Sequence, residues 1–378
     1  MTLQRRRLAF GLTLVLMATA TWSQEAPKSP APVATRSGRE IYAHFREGLA
    51  DPTCDTGSSP RWLQQFSTAP DRLVAPNDDI LPLFGYVVDA LRAANLPTEY
   101  ALIPFVESGY KPGARSPAGP AGLWQMIAVT ARDHAVPIHA GYDGRLSPID
   151  STRAAVRYLK TLHGMFAGDW RLAVMAYNAG EYRVFSALRQ SGQVARSADP
   201  EKLTTMPGIA QAYVRKLHAL SCLFDQADNH SDWLQALDRQ VPILEEIAVP
   251  ADTTSLPAWA VRNGWDAAAI ARLNPVFVGG TIGNQRQATI LAPKTNAPSQ
   301  AVAAGDSTPA PALVVQAGEA VMPGRPLRTH RVGRGESLQK IATHYQMKLL
   351  DLLLLNGLGK RTVLQPGMVL KLEAAPGS

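Results

Sequence analysis

Residues 104–126, "PFVESGYKPGARSPAGPAGLWQM", decide the reading of the fold. One carboxylate, Glu107, closes an apolar run and is followed by a loop of Gly, Pro, Ala and Ser. The chain then turns apolar again, with Trp124 and Gln125 side by side. No His, Cys or second acid stands in the stretch, whereas sugar-cleaving sites ordinarily carry two carboxylates. The preceding segment, "TEYALIPFVESGY", predicts a helix bent at Pro104, whose missing N–H breaks a backbone bond. A later helix is expected to bring Leu123 and Trp124 toward Glu107, which already follows Pro104, Phe105 and Val106. A carboxyl desolvated by such neighbours keeps its proton to higher pH, as a general acid must. Taken alone, a Glu near a helix end reads as a solvated surface charge, so its context has to carry the argument.

Working outward, apolar residues recur at helical spacing on both sides. Ile80, Leu83, Phe84, Val87, Val88 and Leu91 form one such face, stopped by Pro97. Val156, Leu159 and Leu162 form another, and Leu172, Val174, Met175 and Tyr177 a third. Few runs alternate with period two, so residues 38–227 are expected to form a helical domain. A length of 378 residues allows two or three domains, and 46% hydrophobic with 18% charged residues suits a folded chain.

The first 23 residues predict an export signal rather than fold. Arg5, Arg6 and Arg7 lead an apolar run from Leu8 to Ala18, followed by Ala-Thr-Ala. The run is short for a membrane span, and no Cys follows it to take a lipid. Removing three arginines and no acid lowers the formal charge from +7 to +4, which suits an acidic polymer without specifying one. No Lys/Arg stripe with interleaved aromatics points to nucleic acid. Cys54 and Cys222 are candidates for a disulfide in an exported chain, with two unpaired buried thiols as the alternative. His134 and His139 do not make H-E-x-x-H and no Cys/His cluster exists, so no metal or other cofactor is indicated.

Two Pro/Ala-rich segments punctuate the chain, residues 24–37 as a flexible tether and 294–326 as a linker. Beyond the linker, residues 327–373 read strand, helix, helix, strand. His330–Val332 and Met368–Leu372 supply the strands, and Ser337 is the expected helix cap. Leu338, Ile341, Ala342 and Tyr345 share one helix face, and Asn356-Gly357 marks a turn. The "V-x-x-G-E-S-L-x-x-I-A" opening, the Asn-Gly and the "L-x-P-G-M-V-L" ending resemble a LysM domain. That resemblance implies a small βααβ module binding N-acetylglucosamine-containing glycans, with its groove near Gly335–Leu338 and Asn356–Leu358. "G-R-G-E" at 333–336 belongs to this unit and lacks the context of a dinucleotide loop.

Residues 242–293 fit the same template at a constant offset. Ser255, Leu256, Ala260 and Asn274 fall on Ser337, Leu338, Ala342 and Asn356, while the "V-x-x-G-E" opening is missing. The segment is read as a degenerate LysM-like unit, expected to bind sugar weakly or not at all and to brace the main domain.

The context of Glu107 is a constellation: "ES" at 107–108, "GLWQ" at 122–125 and "AYNAG" at 176–180, in order. These residues resemble the lytic transglycosylase family, with its goose-type lysozyme-like helical fold. "ALIPFVES", "AGLWQM", "STRAAVRYLK" and "GDWRLAVMAYNAGEYRV" look like the subgroup related to membrane-bound lytic murein transglycosylase D, over roughly residues 60–220. The resemblance implies a mainly α, lysozyme-like catalytic domain followed by small α+β LysM-type modules. It makes Glu107 the catalytic acid and Ser108 the residue that helps to hold it. It makes Gln125 a sugar-contacting amide, and Tyr177 and Asn178 the lining of the cleft beside the acid. Leu123 and Trp124 are expected in the core, Gly122 in a turn, and Glu181 as an ordinary helix or loop charge. Asp133, Asp143 and Asp150 are the remaining acids available to position a water. Met126 stands where many relatives have Phe or Ile, and the missing lipid-attachment Cys departs from membrane-bound relatives.

The resemblance implies an exported enzyme that cleaves the MurNAc–GlcNAc bond of peptidoglycan without water. A hydrolytic lysozyme and a catalytically silent wall-binding scaffold are the alternatives. Its partner is the glycan strand, and peripheral association with an envelope membrane stays open.

Overall fold

The computed structural model describes residues 32–54, 59–76, 78–282, 288–295, 329–333, 336–345, 352–353, 356, 364–365 and 367–372. The expected leader, the first part of the tether and the linker beyond Thr295 lie outside these residues, as do Gly335, Gly357 and Leu358 of the expected glycan groove.

Helices dominate up to residue 237. They are α1 (Gly38–Glu47), α2 (Pro60–Phe66), α3 (Ala69–Val74), α4 (Ile80–Ala93), α5 (Ile103–Glu107) and α6 (Ala128–Asp133). Then follow α7 (Pro148–Met165), α8 (Trp170–Ala179), α9 (Glu181–Gln190), α10 (Gly208–Asp228) and α11 (Ser231–Leu237). Their starts are written locally. Ser37 caps α1, Ser147 caps α7, and Asp169 accepts from the N–H groups of Arg171 and Leu172 to cap α8. Pro148 fills the first turn of α7, where an N–H would lack a helical partner anyway.

The predicted apolar faces meet in one core. Leu83, Phe84, Val87, Val88 and Leu91 of α4 are buried, as are Leu172–Ala176 of α8. An aromatic cluster ties α1, α4, α5 and α10 together, with Phe105 5.5 Å from Phe224 and Phe45 5.3 Å from Phe84. The cluster packs α5 against α4 and α10.

The strands pair two by two and antiparallel. β1 (Thr35–Ser37) pairs with β4 (Gln240–Pro242), and β2 (Ile138–His139) with β3 (Tyr142–Asp143). β5 (Leu244–Ala248) pairs with β6 (Thr289–Pro293), with Leu244 opposite Pro293 and Ala248 opposite Thr289. Between these last two run α12 (Leu256–Arg262) and α13 (Ala267–Leu273), so residues 244–293 have βααβ order. Their core is shared with the helical body: Leu256, Trp259, Ile270, Phe277 and Ile290 cluster with Ala121, Tyr142 and Leu146. The helical body, apart from Tyr182–Ser186 of α9, forms one unit with this segment.

The C-terminal region falls in a second unit. There β7 (Thr329–Arg331) pairs with β8 (Val369–Lys371), and α14 (Leu338–His344) begins on a bond from Lys340 N to Ser337 Oγ. Val332, Leu338, Ile341, Ala342, Leu352, Leu353 and Leu370 make its core.

Four expectations are corrected. Thr35–Ser37 are not tether but strand, paired with residues more than two hundred positions away. The linker starts later than residue 294, because Lys294 exchanges backbone bonds with Ala34 and Ile243, and Thr295 bridges to Val33. Residues 98–110 are not one bent helix: a 3₁₀ turn, Thr98–Leu102, gives way to α5, with Pro104 in its first turn. "GLWQ" is a turn rather than a helix. Gly122 and Gln125 both have positive φ, at 82° and 45°.

Candidate active site

Glu107 is the last residue of α5, half-buried. The helix stops there because Ser108 N and Tyr110 N both bond Pro104 O, with Gly109 and Tyr110 at positive φ. Tyr110 is a poor candidate for that conformation by itself. Its hydroxyl, donating to Ala101 O, and its ring, 4.6 Å from Phe105, hold it there. Arg72 adds a bond from its guanidinium to Gly109 O. The acid is thus carried on a rigid corner.

Around it stand two phenols. Tyr213 of α10 donates to Glu107 Oε1 at 2.5 Å. Tyr177 of α8 donates to Trp124 O at 2.8 Å, and the Glu107 charge acts on both phenols. Burial pushes the Glu107 carboxyl above the ordinary range, while the Tyr213 bond and the Lys216 ammonium pull it partly back. The burial effect wins, so the group holds its proton to higher pH than a solvated Glu.

The turn carrying Gln125 is fixed from beneath. A side chain at Gly122 would place its Cβ 1.6 Å from Arg145 O, so only glycine lets this turn approach. Trp124 is buried, with Nε1 donating to Thr152 Oγ1, and Leu123 is buried beside it. Ser108 Oγ reaches Leu123 O at 2.7 Å and Pro104 O at 3.2 Å. Its hydroxyl therefore joins the acid-bearing corner to the turn and does not bond the Glu107 carboxylate. Gln125 Nε2 donates to Gly122 O and Ala114 O, which leaves its amide oxygen as the group to offer a ligand. Asn178 is exposed near the end of α8, one residue after Tyr177.

The structure thus brings Glu107, Ser108, Tyr177 and the Gln125 turn together through the contacts above, with Asn178 at their edge. It sets the other acids apart by giving them different partners. Arg145 binds Asp143 and holds its carboxyl below the ordinary range, and Tyr142 donates to Asp150. Asp133 is exposed on α6, and Glu181 lies in the first turn of α9. Among the described residues the one charge acting on Glu107 is that of Lys216.

Tyr213 and Lys216 were missed by the sequence reading. The available signal was a tyrosine inside the apolar face of α10, between Ala210 and Leu217, where a buried phenol needs a partner. Cys54 and Cys222 are joined, Cα atoms 5.4 Å apart, across 168 residues. The bond fastens the segment before α2 to α10.

Residues 88–199 match the model of the transglycosylase SLT domain, and residues 330–373 match that of the LysM domain. The chain is similar to membrane-bound lytic murein transglycosylase D of Escherichia coli strain K12, 28% identical over 298 residues. That match covers 78% of this chain and 64% of the relative, so the chain spans less than two thirds of its length. A putative tributyltin chloride resistance protein from Alteromonas sp. strain M-1 is 41% identical over 119 residues, 32% of this chain and 56% of its own. Among solved structures, the 70 kDa soluble lytic transglycosylase of Escherichia coli aligns over 53% of this chain and 42% of its own, at 17% identity and a TM-score of 0.32. The chain carries a transglycosylase SLT domain and a C-terminal LysM domain.

Proposed function

We propose that this protein is an exported peptidoglycan lytic transglycosylase whose LysM domain holds it on the cell wall. The observation that carries the reading is a single carboxyl, Glu107, whose pKa burial raises, bonded by Tyr213 and acted on by no second acid among the described residues. Protonated Glu107 donates to the glycosidic oxygen between N-acetylmuramic acid and N-acetylglucosamine as that bond breaks. The carboxylate left behind accepts the proton of the muramic C6 hydroxyl as its oxygen attacks C1. One group serves as acid and then as base. The nucleophile is part of the substrate and has an effective concentration that reaches about 10⁵ M or more in well-oriented cases. No water has to be held, so a second carboxylate has no task.

Gln125 Oε1 and Asn178 orient the acetamido group, with Tyr177 lining the cleft beside Glu107 and Ser108 keeping the acid-bearing corner in place. Tyr213 steadies the carboxylate formed after the first step. Activity falls as pH rises through the Glu107 pKa, since the proton donor is then lost. Tyr213→Phe removes a bond to the charged form and moves that limb to higher pH.

Product mass tests the proposal. Chains released from wall sacs end in 1,6-anhydro-muramic acid, one water lighter than a hydrolysis product, and Glu107→Gln releases none while still binding glycan. Reducing-end products of full mass point instead to a lysozyme. Absence of cleavage by the wild type points to a binding scaffold.

A further inference from the structure

Arg61 and Lys216 both stand over the indole of Trp62, at 4.7 and 4.9 Å from the ring centroid. Two cations on one ring repel each other, and the quadrupole of the indole offsets only part of that repulsion. Among the described residues neither forms a salt bridge, and the acid that the Lys216 charge reaches is Glu107. Both cations are thus held at the one indole.

Its position is set by α2 lying on α10 and by the Cys54–Cys222 bond, which fastens the approach to α2 onto the same helix. Lys216 lies one turn beyond Tyr213 on α10, and residues three apart on a helix are surface neighbours. Tyr213 bonds Glu107, and the Lys216 charge reaches that carboxyl. Trp62 and Lys216 are half-buried and Arg61 is exposed, so the cluster opens outward from the acid.

The two sugars of the polymer differ in one charged feature. N-acetylmuramic acid carries a lactyl group on C3, ending either in a free carboxylate or in a peptide stem with carboxylates of its own; N-acetylglucosamine carries neither. We infer that Arg61, Trp62 and Lys216 form a subsite for the carboxylate borne by the muramic residue at the cleaved bond, an inference that rests on the peptidoglycan reading above. The guanidinium offers paired N–H donors and the ammonium a point charge, the two common ways of meeting a carboxylate. Such a subsite sets register. Sliding the alternating strand by one sugar would leave both cations without a carboxylate and put the other glycosidic bond of the repeat at Glu107.

The test uses full-length wild type, Arg61→Gln, Lys216→Gln, Lys216→Arg and the Arg61→Gln/Lys216→Gln pair. Three sets of soluble fragments serve as substrates: glycan with peptide stems, glycan stripped to free lactyl carboxylates, and stripped glycan with those carboxylates converted to methylamides. Initial rates of anhydro-product release give kcat and KM. Loss of a charge-assisted bond raises KM about tenfold for Arg61→Gln on carboxylate-bearing fragments, with kcat within about twofold. Lys216→Gln raises KM and, because its charge acts on Glu107, also moves the alkaline limb of the rate to higher pH; Lys216→Arg restores both. On the methylamide fragments wild type and Arg61→Gln share one KM. A rise confined to stem-bearing fragments assigns the carboxylate to the peptide, and a rise on stripped fragments assigns it to the lactyl group. Unchanged KM in the double variant, or an equal rise on the methylamides, overturns the inference while wild-type turnover leaves the enzyme reading standing. No anhydro product from wild type on any fragment overturns both.

Discussion

Residues 244–293 and 329–371 use the same local devices and bury them in different directions. Each is bounded by antiparallel strands, β5 with β6 and β7 with β8. Each starts its first helix on a serine, Ser255 Oγ accepting from Ala258 N and Ser337 Oγ from Lys340 N. The next residue is a buried leucine in both, Leu256 and Leu338. Asn274 Nδ2 donates to Ile270 O at 2.8 Å, and Asn356 Nδ2 donates to Leu352 O at 2.7 Å, at the same offset. Yet the first unit extends its core into the helical body, where Phe277 meets the ring of Tyr142. The second has a core whose buried residues all come from the C-terminal region. A module of about fifty residues buries little apolar surface unaided, so docking is one route to stability. We propose that the first unit, in taking that route, gave its turns to the body: Pro275, which follows Asn274, lies 3.4 Å from where a Cβ on Gly113 would stand. In that proposal one unit has become a buttress and the other has stayed a binding head.

The paired positions allow the contrast to be broken. Leu256→Ala opens a cavity in the shared core and costs about 3 kcal/mol, within the usual range for buried leucines. Calorimetry should show the main unfolding transition dropping. Leu338→Ala, the matching change, should leave that transition and cleavage of short soluble fragments unaltered while retention on wall sacs falls. A main transition that ignores Leu256→Ala would show the first unit to be separate after all. Asn274→Ala comes next. It strands the Leu291 amide, which now donates to Asn274 Oδ1 in a buried setting, and costs about 2 kcal/mol. Asn356 is only half-buried, and Asn356→Ala should cost less when urea midpoints are compared. The smallest effect belongs to Arg272→Ala. Its pair with Asp79 links the first unit to the body but is solvent-exposed, so the change should stay within about 0.5 kcal/mol and shrink with salt.

Local information made much of this visible in the sequence. The faces of α4, α7 and α8 follow from apolar spacing, and the strands of the C-terminal unit lie within two residues of their expected places. Glu107, Ser108, Gln125 and Tyr177 were singled out by motif, and the structure brings them together. What escaped depends on distant partners. The turn at 122–125 is dictated by close approach to Arg145 O, which nothing in "GLWQ" announces. Tyr213 meets Glu107 across 106 residues, and its helix shows only an apolar face. Thr35–Ser37 look like tether because three residues are too few to display a period, and their strand exists only through β4.

That same seam has a mechanical meaning. The chain enters the body at Val33 and leaves it at Thr295, and these two residues are bridged to each other. Tension between the segments on either side would therefore peel a short row of backbone bonds, Ala34 to Lys294 first, one bond at a time. The helices that aim Glu107 lie off the line of force until that row has opened. In the enzyme proposed above the arrangement would work as a strain relief.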